Sequence, residues 1–116
     1  DPAFAVLFGE DSRAEVPICG AVGDTVIAGQ VDRLVVTPEL IGIVDFKTGR
    51  NIPASAEMTP PAYLKQLTAY REVLRKIYPH IPVSCGLLWT DLPQLVILPD
   101  NLLDTHRPTG RDHHAA

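Results

Sequence analysis

Two aspartates and a lysine interrupt otherwise apolar segments in the stretch GQVDRLVVTPELIGIVDFKTGR, residues 29–50. If this stretch folds as a hairpin about Pro38 and Glu39, Asp32 lies directly opposite Asp45, with Cβ atoms about 4.5–5.5 Å apart on one face. Lys47 shares that face because successive strand side chains alternate. The pattern predicts two carboxylates and one ammonium at a single point of a sheet, in a register that a one-residue slip would destroy.

Two carboxylates at this separation repel each other, and a divalent cation between them removes the repulsion. Mg²⁺ is typically bound by one or two carboxylates together with waters and substrate phosphate. A neighbouring ammonium can hold an attacking water or offset charge on a phosphoryl group, so the set suits metal-assisted hydrolysis of a phosphodiester. In the structural alternative, Asp45 and Lys47 form an ion pair at a strand end, and Asp32 and Arg33 are solvated near a turn. The position of these charges inside apolar strands favours the functional interpretation.

The elements that would position these side chains can be read from apolar patterns and turn residues. Segments rich in Val and Ile predict strands at residues 14–22, 25–36, 40–47, 83–88 and 95–98. Between the third and fourth strands, residues 48–61 hold Gly49 and several prolines, which predicts an irregular loop.

One segment, residues 63–78, has the apolar spacing of a helix, with large side chains three and four positions apart. Pro60 and Pro61 suit its beginning, and Pro79 ends it. The order β-β-β-α-β-β predicts an α/β fold with a mixed sheet flanked by helices. Because the sequence offers one long helix, the second face needs cover from the N-terminal stretch or from chain outside this sequence.

Composition limits the possible classes of protein. The 116 residues allow one domain, and 46% hydrophobic with 21% charged residues is typical of a globular chain. A net charge of −4 argues against a general polyanion or acidic-membrane binder, yet allows a local nucleic-acid site neutralised by metal. No apolar run approaches the roughly 20 residues of a membrane span, and no signal-peptide pattern opens the sequence. Cys19 and Cys85 lack paired spacing, which predicts buried, reduced thiols and a cytoplasmic protein.

Three segments in order, GQVDRLVV, IVDFKTGR and YLKQLTAYREVL, resemble the nuclease domain of the PD-(D/E)XK superfamily. Within it, they are similar to the RecB-type nuclease domain at the C-terminus of AddA helicase–nuclease subunits. The resemblance runs from about residue 13 to residue 103 and implies a restriction-endonuclease-like core. It also implies a Mg²⁺-dependent deoxyribonuclease, an exonuclease of bacterial double-strand-break repair and recombination, in which Mn²⁺ can substitute. The partners it implies are DNA, an AddB-like subunit and helicase domains of the same parent protein, with no membrane.

The resemblance assigns the metal and catalytic roles to residues of the predicted hairpin. It implies that Asp32 and Asp45 are metal-binding carboxylates, that the backbone carbonyl of Phe46 is a further metal ligand, and that Lys47 is the catalytic lysine. It gives Glu15, on the first strand, a supporting role.

Gln66 and Tyr70 match the Gln-x-x-x-Tyr motif of this family, which implies that they arrange the active site and the nucleic-acid strand. Their i,i+4 spacing makes them neighbours on a helix. The structural alternative is an ordinary helix flank with Tyr70 in the core. Three basic residues allow phosphate contacts or scattered surface charge: Arg50, Lys65 and Arg71.

One feature departs from the RecB-type pattern, which usually has a histidine metal ligand on a helix before the first strand. No histidine precedes Glu15, and the four present are His80, His106, His113 and His114. Two explanations follow: residues 1–103 are a nuclease core lacking upstream helices of a larger helicase–nuclease, which cuts slowly or not at all in isolation, or the chain binds metal more weakly with fewer ligands. We expect the first, with residues 104–116 as a flexible tail.

Two other functions stay open at the level of sequence. The chain could be a non-catalytic nuclease-like domain for DNA guidance or subunit contact, or a small α/β interaction domain whose charges are incidental. The presence of all three of Asp32, Asp45 and Lys47 argues against a decayed site.

Overall fold

The computed structural model describes residues 6–108 and contains one five-stranded mixed sheet whose strands lie side by side in chain order. This confirms the predicted α/β class and the order β-β-β-α-β-β. The strands are β1 (Ser12–Val22), β2 (Thr25–Val36), β3 (Ile41–Lys47), β4 (Val83–Trp89) and β5 (Gln94–Leu98).

The first three strands are joined by two antiparallel hairpins. Gly23, at φ +59°, supplies the left-handed conformation of the turn between β1 and β2. Between β2 and β3 the register pairs Arg33 with Val44 and Val36 with Ile41, which is the predicted register. Thr37 closes that second turn, because its Oγ1 accepts the Leu40 N–H at 2.9 Å.

Helix α1 (Pro61–Ile77) connects β3 to β4, which pair in parallel. It begins two residues before the predicted start, since the first turn of a helix needs no N–H donors and therefore accepts Pro61. Its buried face includes Leu64, Leu67, Val73 and Leu74. This face packs on the inward residues of the sheet and forms the main core.

Among residues 6–108, only the segment before β1 covers part of the opposite face of the sheet. Leu7, from the residues before β1, packs there with Val35, Val44 and Leu88. A cavity of about 250 Å³ borders this cluster, and Ile97 on β5 is 55% exposed. The N-terminal stretch therefore provides part of the second layer that the strand composition requires.

A short helix, α2 (Asp100–Asp104), follows β5 where no element was predicted. Arg71 of α1 is fully buried against it, with Nη1 3.0 Å from Asp100 Oδ1 and Nη2 2.8 Å from Asp104 Oδ1. Both interpretations of Arg71, as a phosphate contact and as scattered surface charge, are therefore wrong, because its guanidinium is enclosed by an ion-pair network within the fold. Of the predicted tail, residues 104–108 are described, and residues 109–116, which include His113 and His114, lie outside the described residues.

The two cysteines occupy different environments. Cys85 is buried beneath α1, and burial raises the pKa of its thiol to about 12. Cys19 is exposed, so its predicted burial is wrong. It alternates along β1 with the buried Ile18 and therefore lies on the face away from α1. Between residues 6 and 108, no helix combines the length and apolar character that crossing a bilayer requires.

Candidate active site

The alternation of side chains between the two faces of the sheet shifts by one residue along β2, at the position of the candidate site. Val31 belongs to the core cluster under α1, and strict alternation would place Val35 there also. Instead Val35 belongs to the cluster on the other face, while Leu34 and Val36 pack against the α1 side. The change of phase between Val31 and Leu34 brings Asp32 onto the α1 face.

Strand β1 has a matching irregularity. Ala14 pairs with Arg33 and Val16 pairs with Val31, but Glu15 and Asp32 between them make no ladder pair. Glu15 has φ +53°, a left-handed conformation that is uncommon for a residue with a side chain. Irregularities of this kind next to active sites reorient side chains, and here the reoriented side chain is that of Asp32.

The structure brings together the two aspartates and the lysine. Asp45 and Lys47 lie on the α1 face of β3, following the buried Ile41 and Ile43 of the same phase. Lys47 Nζ is 2.7 Å from Asp45 Oδ2, and both side chains are largely shielded from solvent. Asp32 Oδ2 accepts the backbone N–H of Phe46 at 2.6 Å, so it bridges β2 and β3 just beyond the last ladder pair.

The two carboxylates perturb each other's titration. Burial, together with the hydrogen bond to Asp32, raises the pKa of Asp45 to about 6, against the opposing effect of the Lys47 ammonium. Burial also acts to raise the pKa of Asp32, but its hydrogen bonds to Asp45 and to the Phe46 N–H, with the Lys47 charge, outweigh that effect and lower it. Below about pH 6, Asp45 therefore carries a proton and can donate it in a hydrogen bond to Asp32, whereas at higher pH both groups are carboxylates.

These residues fit a divalent cation. A carboxylate pair that binds a proton to relieve its repulsion gains the same relief from a cation. In an extended strand the N–H and C=O of one residue point toward the same neighbouring strand, so the Phe46 carbonyl is directed toward β2, where Asp32 lies. Among residues 6–108 no group of three Asp, Glu, His or Cys side chains converges. The available ligand set is accordingly two carboxylates and one backbone oxygen.

Tyr63, in the first turn of α1, belongs to the site although the sequence indicated only a helix-face residue. Lys47 Nζ lies 3.9 Å from the centroid of its ring, a cation–π contact. The residue type was visible in the sequence, but the contact depends on the path of the loop between β3 and α1, which residue spacing does not define.

Gln66 and Tyr70 meet each other on α1, with Gln66 Nε2 3.5 Å from Tyr70 Oη. Tyr70 is buried and Gln66 is exposed. The Tyr70 hydroxyl occupies the space above Gly29 of β2 that a Cβ would need. The motif therefore joins α1 to the part of β2 that leads into Asp32.

Within residues 6–108, the remaining predicted residues make no hydrogen bond or ion pair with Asp32, Asp45 or Lys47. Glu15 is exposed on β1, beside the position of Asp32. Arg50 and Lys65 are exposed, on the loop after β3 and on the first turns of α1. His80 follows the end of α1 and is exposed, and His106 interacts with Thr105 and the Leu102 carbonyl near α2.

Comparison with known proteins relates this arrangement to a family. The family model described as the PD-(D/E)XK nuclease superfamily matches residues 3–105. Among curated proteins none matches this chain. A solved structure titled "Crystal structure of SSO0001" is similar in fold, with a TM-score of 0.50 and 17% identity over 89% of this chain and 52% of that one. The chain thus spans about half the length of that structure. Because the family match covers nearly the whole chain, the chain belongs to the PD-(D/E)XK nuclease superfamily.

Proposed function

We propose that this chain is a Mg²⁺-dependent deoxyribonuclease domain of RecB type, part of an AddA-like helicase–nuclease that acts in double-strand-break repair and recombination. In this proposal the substrate is DNA, the bond hydrolysed is the phosphodiester, and Mn²⁺ can replace Mg²⁺. An AddB-like subunit and helicase domains of the parent protein supply the rest of the DNA path. The order of the three sequence motifs supports the RecB-type assignment.

The observation that carries the proposal is the convergence of Asp32, Asp45 and Lys47 at the end of β3. Asp45 stays within 2.7 Å of an ammonium and still has a pKa of about 6. A buried carboxylate pair of this kind is costly for a purely structural element. Carboxylates with shifted pKa values that cluster at one point of a sheet are typical of a functional site.

Each side chain has a distinct part in the proposed reaction. Asp32, Asp45 and the Phe46 carbonyl would hold a divalent cation, which would supply Lewis-acid polarisation of the phosphodiester and offset developing negative charge. Lys47 orients the attacking water and donates hydrogen bonds to the developing oxyanion. Tyr63 holds the Lys47 ammonium over its ring and so restricts where that ammonium can point.

A second function, DNA guidance without cleavage, is favoured by one observation. Among the described residues only two carboxylates converge, and Lys47 is already paired with Asp45. A site with so few ligands binds Mg²⁺ less tightly than one with a third side chain, since affinity rises with ligand charge and number. A domain of this kind would bind DNA and leave it intact.

Cleavage of end-labelled single- and double-stranded DNA with Mg²⁺ or Mn²⁺ distinguishes the two functions. We expect metal-dependent cleavage that EDTA abolishes. Replacing Lys47 by Ala should reduce the rate about 10²-fold or more, the usual effect of removing a group that stabilises transition-state charge. Lys76→Ala is the matched control, because Lys76 is exposed near the far end of α1 and contacts the Ala21 carbonyl.

Equal cleavage by wild type and the Lys47→Ala variant would contradict the catalytic assignment. DNA binding without cleavage under all metal conditions would favour the guidance function.

A further inference from the structure

A cavity adjoins the candidate active site on the side of the loop that follows β3. It has a volume of about 410 Å³. Its walls include Thr48, Asn51, Pro53, Met58, Tyr63 and Trp89.

The cavity shares its wall with the catalytic groups. The Tyr63 ring that lines it also carries the Lys47 ammonium, 3.9 Å from the ring centroid. Trp89 of β4 is the register partner of Lys47 on β3, so the two side chains lie on the same face of the sheet. A DNA strand whose phosphate reaches Lys47 would therefore place an adjacent nucleotide beside this cavity.

The chemistry of the walls suits a flat heterocycle. Tyr63 and Trp89 provide aromatic surface, and Met58 and Pro53 provide apolar surface. Asn51 adds an amide that can donate to and accept from a base edge. In addition, the Trp89 indole Nε1–H is buried and has no acceptor in the described chain, so a carbonyl or ring nitrogen brought by a ligand would relieve its desolvation.

Two hydrogen bonds connect the loop and the turn that border the cavity. The Gly49 N–H donates to Asp91 Oδ2 at 2.7 Å, which ties the loop after β3 to the turn between β4 and β5. The Thr90 N–H donates to the Lys47 carbonyl at 2.9 Å. These contacts fix the rim, and the exposed Arg50 lies in the chain between the lining residues Gly49 and Asn51.

We propose that this cavity receives one unstacked nucleobase of the DNA strand at the nucleotide next to the bond being cut. The inference rests on the proposed function, since it assumes that DNA reaches Lys47. Any base can stack on an aromatic surface, so the cavity distinguishes little between DNA sequences. Its role is to fix the position of the DNA strand relative to Lys47.

Trp89 is the only tryptophan of the chain, so tryptophan fluorescence reports on this residue of the cavity wall. We would titrate the protein in EDTA with a thymidine tetranucleotide and, separately, with a base-free tetranucleotide of the same sugar-phosphate length. The proposal predicts a saturable change in Trp89 fluorescence with the first ligand, and binding at least about tenfold weaker with the second, the effect of losing one base–aromatic contact.

Two neighbouring substitutions provide a matched pair. Met58 lines the cavity and is 67% exposed, so Met58→Ala removes part of the wall without opening the core. Glu57, the preceding residue of the same short 3-10 helix (Ala56–Met58), is exposed and does not line the cavity. We expect Met58→Ala to weaken tetranucleotide binding several-fold and Glu57→Ala to leave it unchanged.

Equal responses to the two ligands, no fluorescence change with either, or equal binding by the two variants would overturn the proposal. Because no metal is present, these outcomes are independent of cleavage. Metal-dependent cleavage with no base-dependent fluorescence would refute the base cavity alone. A base-dependent signal without cleavage would instead refute catalysis and leave a DNA-binding domain.

Discussion

At the scale of single residues, Asp45 keeps its proton to a higher pH than a free aspartate because it is partly buried beside a second carboxylate. The pKa of Asp45 is raised from 3.8 to about 6 in the folded chain. Between these two values the folded chain binds more protons than the unfolded chain, so the free energy of unfolding decreases as pH rises from about 4 to about 6. The contribution of Asp45 to the stability of the metal-free protein is therefore lost at the pH at which a cation would bind best.

The link between the Asp45 pKa and the free energy of unfolding predicts how the stability of Asp45→Asn depends on pH. The amide cannot ionise and can donate a hydrogen bond to Asp32, so we expect a free energy of unfolding higher than wild type by on the order of 1–3 kcal/mol at pH 8. At pH 4 the two proteins should be nearly equal. Thermal unfolding at both pH values, in EDTA, measures the difference. Asp24→Asn, at the exposed β1–β2 turn, is the control, and a variant less stable than wild type at pH 8 would contradict the assignment.

At the scale of elements, the contact between α1 and β2 requires glycine, which has no side chain, at position 29. A Cβ at Gly29 would overlap the Tyr70 hydroxyl and come within 2.9 Å of Tyr70 Cζ. Because Tyr70 is buried, Gly29→Ala should displace its ring and cost roughly 1–3 kcal/mol, as overpacking usually does.

The matched control is Gly42→Ala on β3, where an added Cβ would lie 3.7 Å from Val35 Cβ, an ordinary contact. We expect that variant to unfold close to wild type. Denaturant unfolding of both variants measures the two effects. If the two glycine variants were equally stable, Tyr70 would not be packed on β2 as described.

A second element contact joins α1 to α2 through Arg71. The guanidinium is fully buried, whereas Asp100 and Asp104 are 63% and 41% exposed. Removing the arginine leaves carboxylates that water can solvate, but removing the carboxylates leaves a buried charge with fewer partners. We therefore expect the double variant Asp100→Asn/Asp104→Asn to lower Tm more than Arg71→Met does. Thermal unfolding of the two proteins in the same buffer tests this, and the reverse order would be inconsistent with a buried cation held by these acids.

The elements were largely predictable and their irregularities were not. Val-rich runs and the spacing of apolar residues in α1 define strands and helix, and the symmetry about Pro38 and Glu39 was enough to predict the β2–β3 register. The change of phase near Asp32 was not visible, since it depends on how two strands adjust to each other around Glu15. The burial of Arg71 was equally hidden, because α2 lies about 30 residues away along the chain.

At the scale of the whole molecule, one face of the sheet holds the main core, and the described part of the chain covers the other face in part. Cys85 lies in that core, with Sγ 3.8 Å from the Leu67 carbonyl, and burial raises its thiol pKa to about 12. Cys19 is exposed on β1. The molecule thus carries one thiol outside the core and one inside it.

We expect a maleimide reagent at neutral pH to label Cys19 rapidly and Cys85 only as fast as the whole domain unfolds, because the thiolate is the reactive form. Mass spectrometry of time points with increasing denaturant follows both thiols. Labelling of Cys85 without denaturant, at a rate near that of Cys19, would mean that α1 opens away from the sheet in the native state.

The central claim is that Asp32 and Asp45 form a site for a divalent cation, and calorimetric titration with Mn²⁺ at pH 7.5 tests it most directly. We compare wild type with Asp45→Asn and with the matched Asp24→Asn. We expect one saturable site in wild type and in Asp24→Asn, and affinity at least tenfold lower in Asp45→Asn. Equal affinity in all three proteins, or no binding by wild type at millimolar Mn²⁺, would contradict it.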